Sequence, residues 1–396
     1  MSGGAALEGL RVVEVAQNLA GPWCSRVLAG LGASVVKVEP PGGDAARAWG
    51  PPFEHGDGTI FSLANPDKRS VTLDLRVPRG LDILARLTAE ADVLVQALRP
   101  GALEAMGMGW EAARALNPRL VYASIGAYGE RGPLADLPGY EPLMQAHGGL
   151  MSITGEAAGP PVRVGASVVD MGTGLWAAVA VLAALRARES TGVGEHVSAS
   201  LFDTALAWSG YHLLGALVDG TVAGRHGSEH PMICPYGAFP TRDGRVMIAV
   251  GTDRLFARFA SALGLDGATA DARYRSNPER VRHRATLERA VAARTRAFAS
   301  AELLAVLRAA GVPCAPILDV GELLEDPQAG ASGLVERVST AEGLPRPALA
   351  LPLRFGGRRP PVERAAPAAG ADTDAVLAEL GITPDEIAAL RRDRVV

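Results

Sequence analysis

One acidic residue, Asp170, stands at the head of a long apolar run in RVGASVVDMGTGLWAAVAVLAALRAR (163–188). A carboxylate there can attack an activated carbonyl, or it can simply cap the free N–H groups of a helix start. Capping is the commoner use of an Asp in such a place, and residue type alone favours it. The neighbours favour chemistry. Gly165, Gly172 and Gly174 strip side chains from both sides of Asp170, as expected where another molecule must approach the backbone. The segment before Asp170 reads as strand-like, and the one beyond reads as a helix apolar nearly all round, hence a buried, rigid support. Backbone N–H groups at that helix start, and in the glycine loops, could steady an oxyanion.

The elements that must hold this carboxylate alternate in type. LRVVEV (10–15), SVVKVE (34–39), SVTLDL (70–75), DVLVQAL (92–98) and RLVYASI (119–125) read as strands, with helical patterns through Leu31 and over 78–91. Such alternation predicts a largely parallel sheet covered by helices, with ligands beyond the carboxyl ends of the strands. The loops AQNLAGP, EPPGGD, ALRPGALEAMG and GAYGERGPLADLPGYE therefore matter most. None is a phosphate-binding fingerprint: GMGW at Gly107 lacks the third glycine of GxGxxG, and GxxxxGK[ST] does not occur. TGVGEHVSASLFDTALAW (191–208) reads as turn, strand and helix. After a loop-like stretch, GAFPTRDGRVMIAVG reads as a hairpin turning at Asp243 and Gly244. Helical patterns follow over 253–263 and 280–310. The expected organisation is a large α/β domain beginning at 1–205, a linker at 206–223, a small α+β domain at 224–316, and a linker with return to the large domain at 317–396. The last helix should be capped by Thr383 with Glu386 three residues on.

The 396 residues suffice for two domains, and 48% hydrophobic composition is that of a globular chain. A formal charge of −4 with mixed signs argues against a nucleic-acid partner, and the arginine-rich run 273–296 reads as a solvated helix face. Cys24, Cys234 and Cys314 fit no metal-ligand spacing and are expected to be reduced thiols in a cytoplasmic protein; no metal site is expected. The N-terminus lacks the pattern of a secretory signal, and the apolar run 175–185 is about half the length a bilayer span needs, so a buried helix is expected.

Several segments in one order carry a resemblance: LRVVEVAQNLAGP (10–22), LGASVVKVEPPGGD (31–44), NPDKRSVTLDL (65–75), RPGALEAMGMG (99–109), LNPRLVYASIGAYGERGP (116–133), GYE (139–141) and GASVVDMGTG (165–174), with PYGAFPTRDG, GVPCAPI and DPQ further on. The chain resembles the class III CoA-transferases, the CaiB/BaiF family, over nearly its whole length. That resemblance implies a Rossmann-like, doubly wound large domain built from both chain ends, a smaller second domain, and an interlocked homodimer. It implies that Asp170 is a covalent nucleophile in moving CoA from an acyl-CoA, succinyl-CoA being the suggested donor, to a small carboxylic acid. Coenzyme A is then a substrate, and no tightly bound cofactor is needed.

The resemblance also places Tyr140 and Glu141 beside the reacting groups; a loop tyrosine that merely packs its ring is an equal alternative. In the racemase branch of the family this pair is His–Asp, so the base that an α-methylacyl-CoA racemase needs is missing here; that activity and a non-catalytic CoA-binding role are the rival readings. Matching positions for CoA are Asn18, Leu73, Arg76, Leu98, Arg99, Met106 and Tyr140, the arginines meeting phosphates. The family often has a basic residue where Ala105 stands, which leaves Arg99 or Arg47 to compensate. Leu19 replaces the glutamine of the oxalate enzymes, which counts against oxalate. Arg225, His226, Glu229 and His230 form a loop that could suit a dicarboxylate, a solvated loop being the bland alternative.

Overall fold

Short runs that each carry valine form a parallel sheet: β1 (Arg11–Val15), β2 (Ser34–Glu39), β3 (Lys68–Thr72), β4 (Val93–Gln96), β5 (Val121–Gly126) and β6 (His196–Ser200). In this computed structural model, which describes residues 5–339, 343 and 345–396, the sheet runs β3-β2-β1-β4-β5-β6 with every neighbouring pair parallel. The order reverses between β1 and β4. Loops 16–19 and 97–101 leave the carboxyl ends of those two strands, at the crevice that such a reversal opens.

Helix α1 (Ala20–Gly30) follows β1, α2 is Glu141–His147, α3 is Val168–Thr191 and α4 is Leu201–Trp208. Helix α3 has 24 residues, about 36 Å at 1.5 Å per residue, and is longer than the sequence pattern suggested. By length and composition it could cross a membrane, yet it packs on α1, α4, β5 and β6, and its Arg188 pairs with Asp92 at 2.8 Å. The strand expected before it does not form; 160–166 is irregular, and the helix starts two residues ahead of Asp170. The strand read at 70–75 lies two residues earlier, because Lys68 enters the ladder opposite Val35.

Two compact units result: Met1–Leu150 with Val164–Leu217 and Gly330–Val396, and Met151–Arg163 with Val218–Ala329. In the first, the C-terminal helices Thr373–Glu379 and Pro384–Arg392 bring Val376, Leu377 and Leu390 into the core with Val13, Val36 and Leu94. The Thr383–Glu386 capping box forms as expected. Residues 206–223, expected as a linker, contain the end of α4 and a further helix, Gly210–Asp219, none of whose residues is buried. In the second unit Tyr236–Pro240 and Arg245–Ala249 form the expected hairpin, with Cys314–Pro316 as a third strand. The helical pattern over 280–310 is realised as separate helices, and the arginine run is not only a solvated face. Arg280 is fully buried and donates to the Cys234 and Tyr274 carbonyls and to Asp253. Arg284 donates to the carbonyls of His230, Pro231 and Ile233.

The sheet face beneath α1 holds charges. Glu14 on β1 accepts from Lys37 Nζ and Lys68 Nζ, each at 2.7 Å, and from the Ser25 hydroxyl, while Lys37 also reaches Asp44 at 2.8 Å. Burial alone would raise the Glu14 carboxyl, but the two ammonium groups outweigh it and bring it down to about 2. Asp44 closes the network onto the loop after β1 by accepting the Asn18 N–H at 3.0 Å.

Candidate active site

Asp170 occupies the third residue of α3 and is half-buried. It does not cap the helix, and its carboxylate has no hydrogen-bond or ion-pair partner among the described residues; its own N–H is also unpaired. Burial first, and the nearby charge of Glu141 second, push its carboxyl up to about 7. A partnerless carboxylate beside a free backbone donor, at the positive end of a long helix, can attack a carbonyl and has a ready oxyanion donor nearby.

The glycines around it serve packing more than ligand approach. A Cβ on Gly174 would lie 2.5 Å from the Ala20 carbonyl oxygen and 3.0 Å from the Cys24 nitrogen, so this glycine lets α3 lie against the backbone of α1. A Cβ on Gly172 would meet Trp208 at 2.9 Å and Thr204 at 3.0 Å. Gly165 alone stands in open space. The contact at Gly174 brings the helix of Asp170 to the start of α1, directly after the loop that carries Asn18.

Helix α2 supplies the neighbours. Tyr140 precedes it and is 60% exposed, with its hydroxyl unpartnered among the described residues. Glu141 is 4% exposed; its Oε1 accepts from Gln145 Nε2 at 2.6 Å and from the Val169 N–H at 3.4 Å, which ties it to the residue before Asp170. Gln145, fully buried, was not singled out from the sequence, although four-residue spacing from Glu141 puts both on one helical face.

The positions matched to CoA divide into free and committed groups. Asn18 has φ of 69° and a buried Oδ1 without a partner, at the carboxyl end of β1. Leu98 and Met106 are partly exposed, and Arg99 is exposed with its guanidinium uncommitted among the described residues. Leu98 lines a cleft at the ends of β4, β5 and β6, together with Glu104, Glu130 and Asp136, which are the wrong sign for a phosphate. Leu73, by contrast, is 1% exposed within the core, so its side chain cannot flank a ligand. Arg76 lies on the surface in a bidentate pair with Asp74, both contacts at 2.8 Å. Arg47 cannot stand in for a missing basic residue: it bonds Glu39 and Asp57 and stacks 3.7 Å from the centre of the Phe61 ring.

The loop suggested for a dicarboxylate belongs to the second unit, and most of its groups are engaged there. Arg225 donates to the Gly159 carbonyl at 2.7 Å; Glu229 lies 3.5 Å from Arg284; His230 Nδ1 accepts the Met232 N–H at 3.1 Å. His226 is half-buried, its backbone carbonyl accepting from Glu229.

Fold and site thus define a mixed α/β protein with a parallel sheet and, near the start of α3, a carboxylate without a partner among the described residues. The chain belongs to CoA-transferase family III, whose model matches residues 7–373, and it is a CoA-transferase of that class. It is 38% identical to succinate–glutarate CoA-transferase of Agrobacterium fabrum over 94% of this chain and 95% of that protein. It is 35% identical to the beta subunit of succinyl-CoA–L-malate CoA-transferase of Chloroflexus aurantiacus, over 98% of both. Among solved structures it resembles a CaiB/BaiF family protein from Brucella suis, with 37% identity, a TM-score of 0.84, and coverage of 96% of this chain and 100% of that one.

Proposed function

We propose that this enzyme moves CoA from succinyl-CoA to a small dicarboxylic acid through a thioester on Asp170. The observation that carries the reading is the half-buried, unpartnered Asp170 carboxylate at the start of α3 beside Glu141. Its oxygen attacks the thioester carbonyl, breaking the C–S bond to give a mixed anhydride and CoA thiolate. The thiolate attacks the aspartyl carbonyl, releasing the donor acid and leaving aspartyl-CoA. The acceptor carboxylate attacks that thioester, again expelling thiolate, which then takes the acceptor's acyl carbonyl and frees the Asp170 carboxylate. Each step exchanges one activated acyl bond for another, so no ATP is consumed. CoA enters as substrate, and the chemistry calls for no tightly bound cofactor.

The dicarboxylate assignment is supported by the succinate, glutarate and malate in the relatives' names. For CoA, Arg99 would meet a phosphate and Leu98, Met106 and Asn18 the body of the molecule, with Tyr140 over the acyl end. Leu175, Trp176 and Val179 on α3, with Trp208, Tyr211 and Leu214, are large apolar side chains left exposed, which supports a homodimer, interlocked as the family resemblance implies. Reduced thiols in a cytoplasmic enzyme complete the reading. Incubation with succinyl-CoA followed by hydroxylamine should convert Asp170 to its hydroxamate, detected by peptide mass. An unmodified Asp170 peptide during active exchange would sink the mechanism. A panel of dicarboxylic and monocarboxylic acceptors would test the substrate class, and activity with monocarboxylic acids alone would refute it.

A further inference from the structure

The loop after β1 is held at three successive residues by β2 and the loop that follows it. The Ala16 carbonyl accepts from Lys37 Nζ at 2.8 Å, Gln17 Oε1 accepts the Ala45 N–H at 3.4 Å, and the Asn18 N–H donates to Asp44 Oδ1 at 3.0 Å. Asp44 itself is fixed from every side. It is 2% exposed; its Oδ1 also accepts the Ala46 N–H at 2.9 Å, its Oδ2 pairs with Lys37 Nζ at 2.8 Å, and its own N–H donates to Glu39 Oε2 at 2.8 Å. The three protons of the Lys37 ammonium go to Asp44, to Glu14 Oε1 at 2.7 Å and to the Ala16 carbonyl.

Asn18 is the residue that these contacts constrain. Its φ of 69° lies in the left-handed region, which residues with a Cβ keep only where their surroundings over-determine it. An asparagine there commonly bonds its side chain to nearby backbone. This one does not: Oδ1 is buried without a partner, and Nδ2 has no bond among the described residues. Neither end of the amide is paired, so exchanging its O and N would leave it equally free. Asn18 stands at the carboxyl end of β1, where the strand order reverses toward β4. Two residues on, the Ala20 carbonyl meets Gly174, one turn past Asp170.

We propose that Asp44 is a positioning residue for CoA binding: through the Asn18 N–H it holds Asn18 left-handed, with the side-chain amide free to bond an amide of the pantetheine arm. This rests on the reading of Asn18 as a CoA contact and deepens it, since it says what shapes the loop before CoA arrives. Each pantetheine amide offers one N–H and one C=O, the complement of the two ends of an asparagine side chain. Asp44 touches no ligand; both its oxygens are engaged within the chain. The charged layer under α1 thereby sets the conformation of a binding loop at the crevice.

The test uses the full-length enzyme, with free CoA titrated calorimetrically and exchange followed at varied succinyl-CoA. Asn18→Gly keeps a backbone at ease with this φ and removes the amide. The Kd for CoA and the KM for succinyl-CoA should rise about five- to tenfold, as for the loss of one or two neutral hydrogen bonds. Asp44→Ala leaves the amide but releases the backbone, and should raise both constants by a similar factor, more than it lowers kcat. A merely structural defect would lower kcat and leave KM where it was. Asp44→Ala added to Asn18→Gly should change the Kd little, because Asp44 acts through Asn18. An unmoved Kd in Asp44→Ala, or factors that multiply in the double variant, overturns the proposal and leaves Asn18 as a contact. An unmoved Kd in Asn18→Gly removes the contact itself, and the role of Asp44 with it. Free CoA is the probe, so these outcomes stand apart from whether Asp170 is acylated. Should Asp44→Ala not fold, a crystal structure of the wild-type enzyme with CoA decides. An Asn18 amide within about 3.2 Å of a pantetheine amide, its N–H still on Asp44, supports the proposal; an amide turned away from CoA, or an N–H detached from Asp44, overturns it.

Discussion

Asp170 has the profile of a residue whose stability cost is tolerated for chemistry. Its carboxyl is raised to about 7 from the usual 3.8, by burial and then by Glu141. The folded state therefore binds the proton more tightly than the unfolded chain, and stability falls as pH rises from about 4 to about 7, the penalty being complete above that. Asp170→Asn removes the ionisable group. We expect it to abolish CoA exchange and yet to unfold later than the wild type at pH 8, by about 1–3 kcal/mol. Near pH 4 the difference should vanish. Calorimetry at both pH values with an exchange assay checks this; a less stable Asp170→Asn at pH 8 would contradict the account. For the wild type, kcat/KM should rise with pH through about 7, as Asp170 ionises, if it is the attacking group as proposed.

At the scale of elements, α3 is placed by its contact with α1, and that contact depends on a glycine. Gly174→Ala puts a methyl group 2.5 Å from the Ala20 carbonyl oxygen, which is main chain and cannot swing aside. A loss of about 1–3 kcal/mol is expected in denaturant unfolding, with a fall in exchange rate because the helix carrying Asp170 must shift. The charged layer beneath α1 sets the other constraint. Glu14→Gln leaves Lys68 buried without an anion and should cost about 3–5 kcal/mol. In the wild type the Glu14 carboxyl lies at about 2, below its unfolded 4.5, so its contribution is present above pH 4.5 and is lost as pH falls toward 2. Acid unfolding should accordingly show a proton uptake in that window that Glu14→Gln lacks.

For the whole molecule, the apolar ridge of α3, α4 and the Gly210–Asp219 helix is the feature a single chain does not explain. Leu214 is 62% exposed and Leu217 82%, on a helix with no buried residue. Chains interlocked as proposed part only by unfolding, so the double substitution Leu214→Asp, Leu217→Asp should lower the fraction of dimer recovered on refolding from denaturant, read by sedimentation equilibrium. Monomers in the wild type at micromolar concentration would remove the dimer from the account.

The sequence by itself determined what depends on local pattern: the βα alternation, the hairpin at Asp243 and Gly244, the Thr383–Glu386 cap, and Asp170 as the residue to watch. Turn chemistry, capping and hydrophobic period act over a few residues, so they are legible along the chain. Only the tertiary structure decided which polar groups are already spent. Arg47, Arg76 and Arg280 look alike in sequence, yet one stacks on Phe61, one pairs with Asp74 two residues before it, and one is a buried hub whose partner Cys234 lies 46 positions away. Leu73 read as ligand contact and proved to be core, and Gly172 and Gly174 read as room for a ligand and proved to be room for α4 and α1. The charge that opposes Asp170 comes from Glu141, 29 positions earlier, and Coulomb interactions follow distance in space, which no spacing along the chain encodes.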